Sequence, residues 1–435
     1  MQLVIHRGTH EIGGSFVEIA SGQGRLIIDI GIPLVDRGGQ NFNIRDYKGY
    51  SGPELVEKGI LPKIQGLYKW DTNNDRPNGI VISHAHIDHY GFYKHIHEDI
   101  PFYLGEASHK IMDISAMFNI AEGSIPQPRY IKSGQRVAVE DFCITSYLMD
   151  HSAFDAYSFY IEADGKGLIY SGDFRSHGQK EKAYRWWLYN VPKGVDALLL
   201  EGTMFGRVPE KCKSEKDIEN EIYKVIKTSN NITFICSSGQ NIDRLVAMFR
   251  ACRKAEKILL IDCYVALILK TLQAFARIPY PSRDFPEIRV FYLSSLFDKA
   301  EKSGHPELMY QFKKFKMMPD EISAKRDQIV MLVRSTMVPY LKTIDGIQGG
   351  DFIYSMWQGY WNENSMKPMR DFIADEKLNY HYVHTSGHAD FETLKETVDH
   401  LRPKLIVPIH TFHPESYESL GVPIHILNDG EVFQL

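Results

Sequence analysis

Ser83-His84-Ala85-His86-Ile87-Asp88-His89 places three imidazoles and a carboxylate within six residues, directly after the apolar run Gly79-Ile80-Val81-Ile82. Imidazole and carboxylate are ligands of first-row metals, and four such groups crowded at one strand end need a common partner. A divalent cation is the natural one. A surface histidine cluster, or a few core histidines, is the bland alternative, and the density of the H-x-H-x-D-H order weighs against it.

Three further positions fall where a two-metal site requires them. Phe142 to Met149 is strand-like and leads into Asp150-His151-Ser152. Gly167-Leu168-Ile169-Tyr170 is a short apolar strand ending in Ser171-Gly172-Asp173, and Leu405-Ile406-Val407-Pro408-Ile409 ends in His410. Residues at the ends of adjacent strands converge on one edge of a sheet, which lets distant parts of a chain build one site. Taken singly, His151 reads as a core or loop histidine and Asp173 as a turn residue. Their order after the opening motif reverses both readings.

This order resembles the metallo-β-lactamase superfamily, an α/β fold in which an αββα sandwich carries two zinc ions at one sheet edge. The resemblance assigns His84, His86 and His151 to one metal, and Asp88, His89 and His410 to the other, with Asp173 bridging. Zinc suits this mixture of imidazole and carboxylate, and manganese would tolerate it. A hydroxide held by the metals and oriented by Asp88 or Asp173 would be the nucleophile, because coordination lowers the pKa of water, to about 7 in the best-known zinc case. The opening stretch agrees: His10-Glu11-Ile12-Gly13-Gly14-Ser15 is a loop between strands, and Leu26-Ile27-Ile28 ends in Asp29. Asp29 is either a turn residue or a buttress of the metal-binding loops.

The middle of the chain narrows the branch. Ala197 to Leu200 ends in Glu201, and Ser214-Glu215-Lys216-Asp217 then reads as a capping box before a helix carrying Ile218, Ile222, Val225 and Ile226. Strands at Ile232 to Cys236, Ile258 to Ile261, Ile288 to Leu293, Ile329 to Val333 and Phe352 to Tyr354 are expected, with helices after the first two. Such alternation predicts a parallel α/β domain at residues 206–380, inserted into a first domain of residues 1–205 and 381–435. With His384-Thr385-Ser386-Gly387-His388 and then Pro408-Ile409-His410, the pattern resembles the β-CASP nucleases, notably the RNase J group and the nuclease of mRNA 3′-end processing. The resemblance implies that Glu201, His388 and His410 are the family's three later motif residues. His388 would be the general acid, held protonated by Glu201. In that family the RNA-processing members tend to carry histidine at the third of these positions and the DNA-repair members valine, so with His410 the resemblance points to RNA, taken here as single-stranded. Ser237, Ser238, His384 and Ser386 are candidate substrate contacts, the first two because a strand-to-helix turn offers backbone N–H groups to phosphate. A DNA nuclease, a small-molecule phosphodiesterase and a non-catalytic scaffold remain as alternatives.

Other features bound the class. A chain of 435 residues exceeds one ordinary core, and 43% hydrophobic with 24% charged residues is a globular balance. No apolar run reaches membrane-spanning length, and the N-terminal segment reads as a strand rather than a signal peptide. Five cysteines without C-x-x-C spacing read as reduced thiols of a cytoplasmic protein. A net charge of −5 excludes a globally basic nucleic-acid coat while leaving room for a locally positive cleft. Arg175 and His177 read as cleft-entrance or surface residues. Lys313-Lys314-Phe315-Lys316 reads as a solvated helix face, and Trp186, Trp187, Trp357 and Trp361 as packing residues unless a cleft exposes them. The chain ends about twenty-five residues beyond His410. The C-terminal dimerisation extension of typical RNase J enzymes is thus not expected, and the sequence sets no oligomeric state.

Overall fold

A computed structural model describes residues 1–35, 41–207 and 211–435. The first sheet is built from β1 (Gln2–Arg7), β2 (Phe16–Ser21), β3 (Gly24–Ile28), β4 (Gly79–Val81), β5 (Phe102–Gly105) and β6 (Arg129–Ile131). Strands β1 to β3 are antiparallel, whereas β3 to β6 run parallel. The second sheet takes β7 (Arg136–Val139), β8 (Phe142–Met149), β9 (Ala156–Ala163), β10 (Lys166–Tyr170) and β11 (Ala197–Glu201). A third sheet follows, wholly parallel, in the order β15 (Lys316–Met317), β14 (Ile288–Phe291), β13 (Ile258–Asp262), β16 (Ile329–Val333), β12 (Thr233–Cys236), β17 (Asp351–Tyr354), β18 (Asn379–Tyr382). The chain then returns: β19 (Ile406–Ile409) pairs parallel to β11, and β20 (Val432–Gln434) closes the first sheet beside β1.

Burial follows from residue type. Alternate residues of β1 and β2 (Leu3, Ile5, Val17, Ile19) face Phe142, Ile144, Phe159, Ile161 and Leu199, so the first two sheets stack face to face over one apolar core. The outer face of the second sheet is covered by helices Glu181–Asn190 and Phe391–Leu401. Their Tyr184, Trp187, Leu188, Leu394 and Val398 meet Ile169, Leu198 and Leu200. The outer face of the first sheet carries helix Glu106–Met117, and its far side packs against the third-sheet unit, where Ser115 Oγ meets the Tyr264 hydroxyl at 3.2 Å. Two central sheets with helices outside make the expected αββα sandwich, with a parallel α/β layer attached.

Helix Glu215–Thr228 starts on the expected capping box. Ser214 Oγ accepts the Asp217 N–H, and the Asp217 carboxylate accepts the Ser214 N–H at 2.9 Å. The basic run at Lys313 differs from expectation: Lys313–Phe315 is a single 3-10 turn feeding the edge strand β15. Its lysines are too few for a helical face, and Phe315 packs against the core. Among the described residues no helix is long and apolar enough to cross a membrane.

Candidate metal centre

The motif residues sit in the turn that follows β4, with Ile87–Tyr90 forming one short helical turn. Gly31 makes this possible. A Cβ there would lie 1.6 Å from the Asp88 carbonyl oxygen, so only glycine lets the turn pack so closely. His151 follows β8, Asp173 follows β10, Glu201 ends β11 and His410 follows β19. His410 (φ 56°) and Asp29 (φ 55°) both adopt left-handed backbone, a conformation uncommon for residues other than glycine.

All seven predicted metal-holding side chains converge. His84, His86 and His151 form one group whose ligand atoms lie within 4.8 Å of one another, and Asp88, His89 and His410 form a second. Asp173 lies between them, with Oδ2 3.2 Å from His89 Nε2 and 3.9 Å from His84 Nε2, and Oδ1 3.8 Å from His410 Nδ1.

The test of fit is where the ring nitrogens point. His89 Nδ1 is held by Asp29 Oδ2 at 2.7 Å, His410 Nδ1 by Thr203 Oγ at 2.8 Å, and His151 Nδ1 by the Gly387 carbonyl at 2.6 Å. His84 Nδ1 meets Ser83 Oγ at 3.0 Å. The opposite nitrogens of His84, His89 and His410 are buried and lack a hydrogen-bond partner. Leaving one such atom unpaired is costly, and three turned to one place among the described residues suit a divalent cation. The Asp29 carboxylate and the Gly387 carbonyl can only accept, so they hold a proton on Nδ1 of His89 and His151 and turn Nε2 towards the cluster.

The electrostatics agree. Burial, and then the neighbouring imidazoles, push His84 well below the usual histidine range, and burial does most to depress His86 and His151, so these three are neutral donors. Burial would also depress His89, but Asp173, Asp88 and Asp29 outweigh it and raise His89 well above normal. Asp88 is held down to about 2, because burial is overcome by His89 and His410. This half of the site therefore attracts positive charge, whether protons or a metal.

Asp29 is resolved as a buttress. It is fully buried and accepts from the Ser83 N–H (2.7 Å), Ser83 Oγ (2.7 Å) and the Tyr170 hydroxyl (2.8 Å) besides facing His89. Glu201 and His388 meet as expected, Oε2 to Nδ1 at 3.2 Å, with His388 Nδ1 3.8 Å from Asp173. Glu201 also accepts from the N–H groups of Phe174 and Thr203, which anchors it to two neighbouring loops.

Ser237 and Ser238 follow β12, and His384 and Ser386 follow β18, so all four lie along the C-terminal edge of the third sheet. Ser237 Oγ and His384 Nδ1 are buried without a partner among the described residues. Ser238 Oγ accepts the Gln240 N–H, and Ser386 Oγ accepts the His388 N–H at 3.1 Å.

Arg175 overturns its expected place at the cleft entrance or surface. It is fully buried, bonded to Asp150 (3.4 Å), Glu215 (3.1 Å), Asp243 (2.6 Å) and the Ser386 carbonyl (2.9 Å). Its neighbour His177 is largely enclosed, with Nε2 3.0 Å from the same carbonyl. Arg244 extends the network: it grips Glu215 through two nitrogens at 3.0 Å and donates to the Ser355 carbonyl. Lys180 joins Asp243 to the His151 carbonyl. The sequence carries no local signal for this network, since its partners are separated by tens of residues.

Comparison with known proteins agrees with this geometry. Residues 63–215 match the model of the beta-lactamase superfamily domain, and residues 377–417 that of the Zn-dependent metallo-hydrolase RNA specificity domain. The chain is thus similar to the metallo-β-lactamase superfamily, and within it to the β-CASP, RNase J-like branch. Among relatives of this branch, ribonuclease J of Helicobacter pylori (strain ATCC 700392 / 26695) is 23% identical over 454 residues, covering 98% of this chain and 59% of the relative. Ribonuclease J of Sinorhizobium meliloti is 21% identical over 415 residues, covering 89% of this chain and 68% of that protein. The chain thus spans about three fifths of the length of the Helicobacter relative. A protein of unknown function from Enterococcus faecalis V583 shares the superfamily fold over 100% of this chain and 99% of its own, with TM-score 0.78 and 18% identity.

Proposed function

We propose that this chain is a zinc-dependent phosphodiesterase with two metal ions, cutting single-stranded RNA between a first domain of residues 1–205 and 381–435 and an inserted domain of residues 206–380. The observation that carries the reading is the Glu201–His388 pair, 3.2 Å apart and beside Asp173 at the rim of the histidine cluster. A metallohydrolase acting on a thioester releases a thiolate, which leaves without a proton. A phosphodiester releases an alkoxide, and its leaving oxygen needs one.

His84, His86 and His151 would hold one ion and Asp88, His89 and His410 the other, with Asp173 between. When bound, the ions supply water activated at neutral pH and stabilise charge on the phosphate. The chain's own residues do the rest. Asp29, Thr203 and the Gly387 carbonyl keep the imidazoles in register. Glu201 holds His388 by Nδ1, leaving Nε2 to hand a proton to the departing 3′ oxygen as its bond to phosphorus breaks. Ser237, Ser238, His384 and Ser386 would contact the nucleotide backbone, since all four lie along the C-terminal edge of the third sheet. The RNA specificity domain matched at residues 377–417 and the ribonuclease J relatives support RNA over DNA.

The test is end-labelled single-stranded RNA, bearing a 5′-monophosphate or a 5′-hydroxyl, beside DNA of the same sequence, with metal content measured on the same preparation. Two zinc ions per chain and a product ladder from RNA alone are expected. Cleavage of DNA at an equal rate would overturn the RNA assignment, and cleavage of neither would overturn the nuclease reading.

A further inference from the structure

Arg207 is an unusual cation. It lies in the loop that leaves Glu201, and its side chain is largely enclosed, yet among the described residues it has neither a carboxylate partner nor a side-chain hydrogen bond. Burial pushes its pKa down, and the acidic groups that offset this are Tyr360 and Glu201. A desolvated guanidinium without a counter-ion is costly unless a ligand supplies the anion.

What Arg207 does touch is aromatic. Its guanidinium carbon sits 4.6 Å from the centre of the Trp357 ring. Trp357 stands perpendicular to Tyr360, with centroids 5.2 Å apart, and the two are 44% and 39% exposed. Gly359 permits this arrangement: a Cβ there would lie 2.3 Å from the indole, so the ring lies flat on its own turn only over glycine. Thr203, four residues before Arg207 in the same loop, holds His410 Nδ1 at 2.8 Å, so the loop that carries Arg207 starts at the metal centre. On the other side, Tyr380 and Tyr382 of β18 are half exposed. Tyr382 lies 6.1 Å from the His384 ring, which carries the row of rings towards that loop.

We propose that Arg207, Trp357 and Tyr360 form a nucleotide clamp at the mouth of the metal centre, with Arg207 binding a backbone phosphate and Trp357 stacking on a base of a single-stranded chain. The clamp rests on the nucleic-acid reading above and adds the subsite that would hold a neighbouring nucleotide. The chemistry selects this occupant. A half-exposed indole takes any base, and a guanidinium with no carboxylate partner among the described residues takes a phosphate, so one unstacked nucleotide satisfies both. A duplex would present no free base face to the indole.

The experiment compares wild type with Trp357→Ala, Trp357→Phe and Arg207→Gln, each loaded with metal and checked for equal metal content. Binding of a phosphorothioate RNA oligonucleotide is followed by fluorescence anisotropy. Losing one stacked base weakens binding by about 5- to 150-fold. Trp357→Ala and Arg207→Gln should each show a loss in that range, and Trp357→Phe should recover most of it. An oligonucleotide with abasic positions separates stacking from a structural role. It should bind wild type more weakly than the intact oligonucleotide, whereas Trp357→Ala should not distinguish the two. Equal affinity of wild type and Trp357→Ala, or an abasic penalty that survives in Trp357→Ala, overturns the clamp while leaving the nuclease reading intact. A metal-loaded wild type that binds no oligonucleotide overturns both.

Discussion

Arg175→Gln tests whether the buried ion network holds the metal loops to the inserted unit. The Arg175 guanidinium is fully enclosed and makes four contacts, to Asp150, Glu215, Asp243 and the Ser386 carbonyl. With Arg244 and Lys180 it sets three cations against the three carboxylates Asp150, Glu215 and Asp243. Glutamine removes one charge and reaches only part of the contact set, so one buried carboxylate loses its compensation. Removing one partner of a buried ion pair costs about 3–5 kcal/mol. At about 2.1 cal/mol/K per residue, a chain of this length has an unfolding entropy of roughly 0.9 kcal/mol/K, so the midpoint should fall by roughly 3–6 °C. Calorimetry in chelator, on metal-free protein, keeps metal loss out of the result. Arg175→Lys should recover part of the shift. Combining Arg175→Gln with Glu215→Gln should cost less than the sum of the two by about 1 kcal/mol or more, because both remove the same contact. A midpoint within about 1 °C of wild type for Arg175→Gln would refute the reading that this guanidinium compensates the buried carboxylates.

Glu215 carries a pH signature. Burial alone would raise its carboxyl, but Arg244 and Arg175 hold it down from 4.5 to about 2. A depressed folded pKa stabilises the fold above the unfolded value, and that stability is lost as pH falls from about 4.5 towards 2, an effect on the order of 3 kcal/mol. Glu215→Gln should flatten this acid limb in thermal scans against pH. Burial raises Asp150 and acts in the opposite sense, so the comparison is between variant and wild type. Asp29→Ala removes the contacts to His89, Ser83 and Tyr170 and should weaken metal binding by about 10- to 100-fold in a competition titration, with unchanged affinity refuting its buttress role. His388→Ala should keep both metals while lowering RNA cleavage by about 10²- to 10⁴-fold, whereas Asp173→Ala should lose metal as well. Full activity in the His388 variant would exclude it as the acid.

What the sequence made legible follows the range of each interaction. The His84–His89 cluster is contiguous, and His151, Asp173, Glu201 and His410 each follow an apolar strand, so a pattern of strand ends was enough to bring them together. The alternation after Ser214 likewise located the parallel strands β12, β13, β14, β16 and β17. Arg175 was misread because its partners lie 25, 40 and 68 residues away, and no local pattern marks a buried guanidinium. Glu215 shows the same limit from the other side. It occupies the first turn of a capped helix, where acidic residues ordinarily face water and the helix dipole favours them. Here the first turn is buried against Arg175 and Arg244, which only the tertiary arrangement reveals. Asp29 stood between two readings because a strand-end aspartate looks the same whether it caps a turn or braces a ligand. Three further partners at 2.7 to 2.8 Å decide it.

The loop before His388 explains why such a network would be retained at a catalytic edge. Three successive carbonyls report to three places. Thr385 accepts from Arg244 of the inserted unit, Ser386 from Arg175 of the sandwich, and Gly387 lies 2.6 Å from Nδ1 of His151 in the metal cluster. The next residue is His388 itself, set against Glu201. A displacement of the inserted unit therefore moves one short peptide that holds both a metal-facing imidazole and the proposed proton donor. Buried ion pairs are poor sources of stability but good fixers of one geometry, because every alternative leaves a charge unpaired. The network's value to the site is then registry. It ties the edge of the third sheet to the two histidines that the proposed function sets at the metal and at the leaving oxygen.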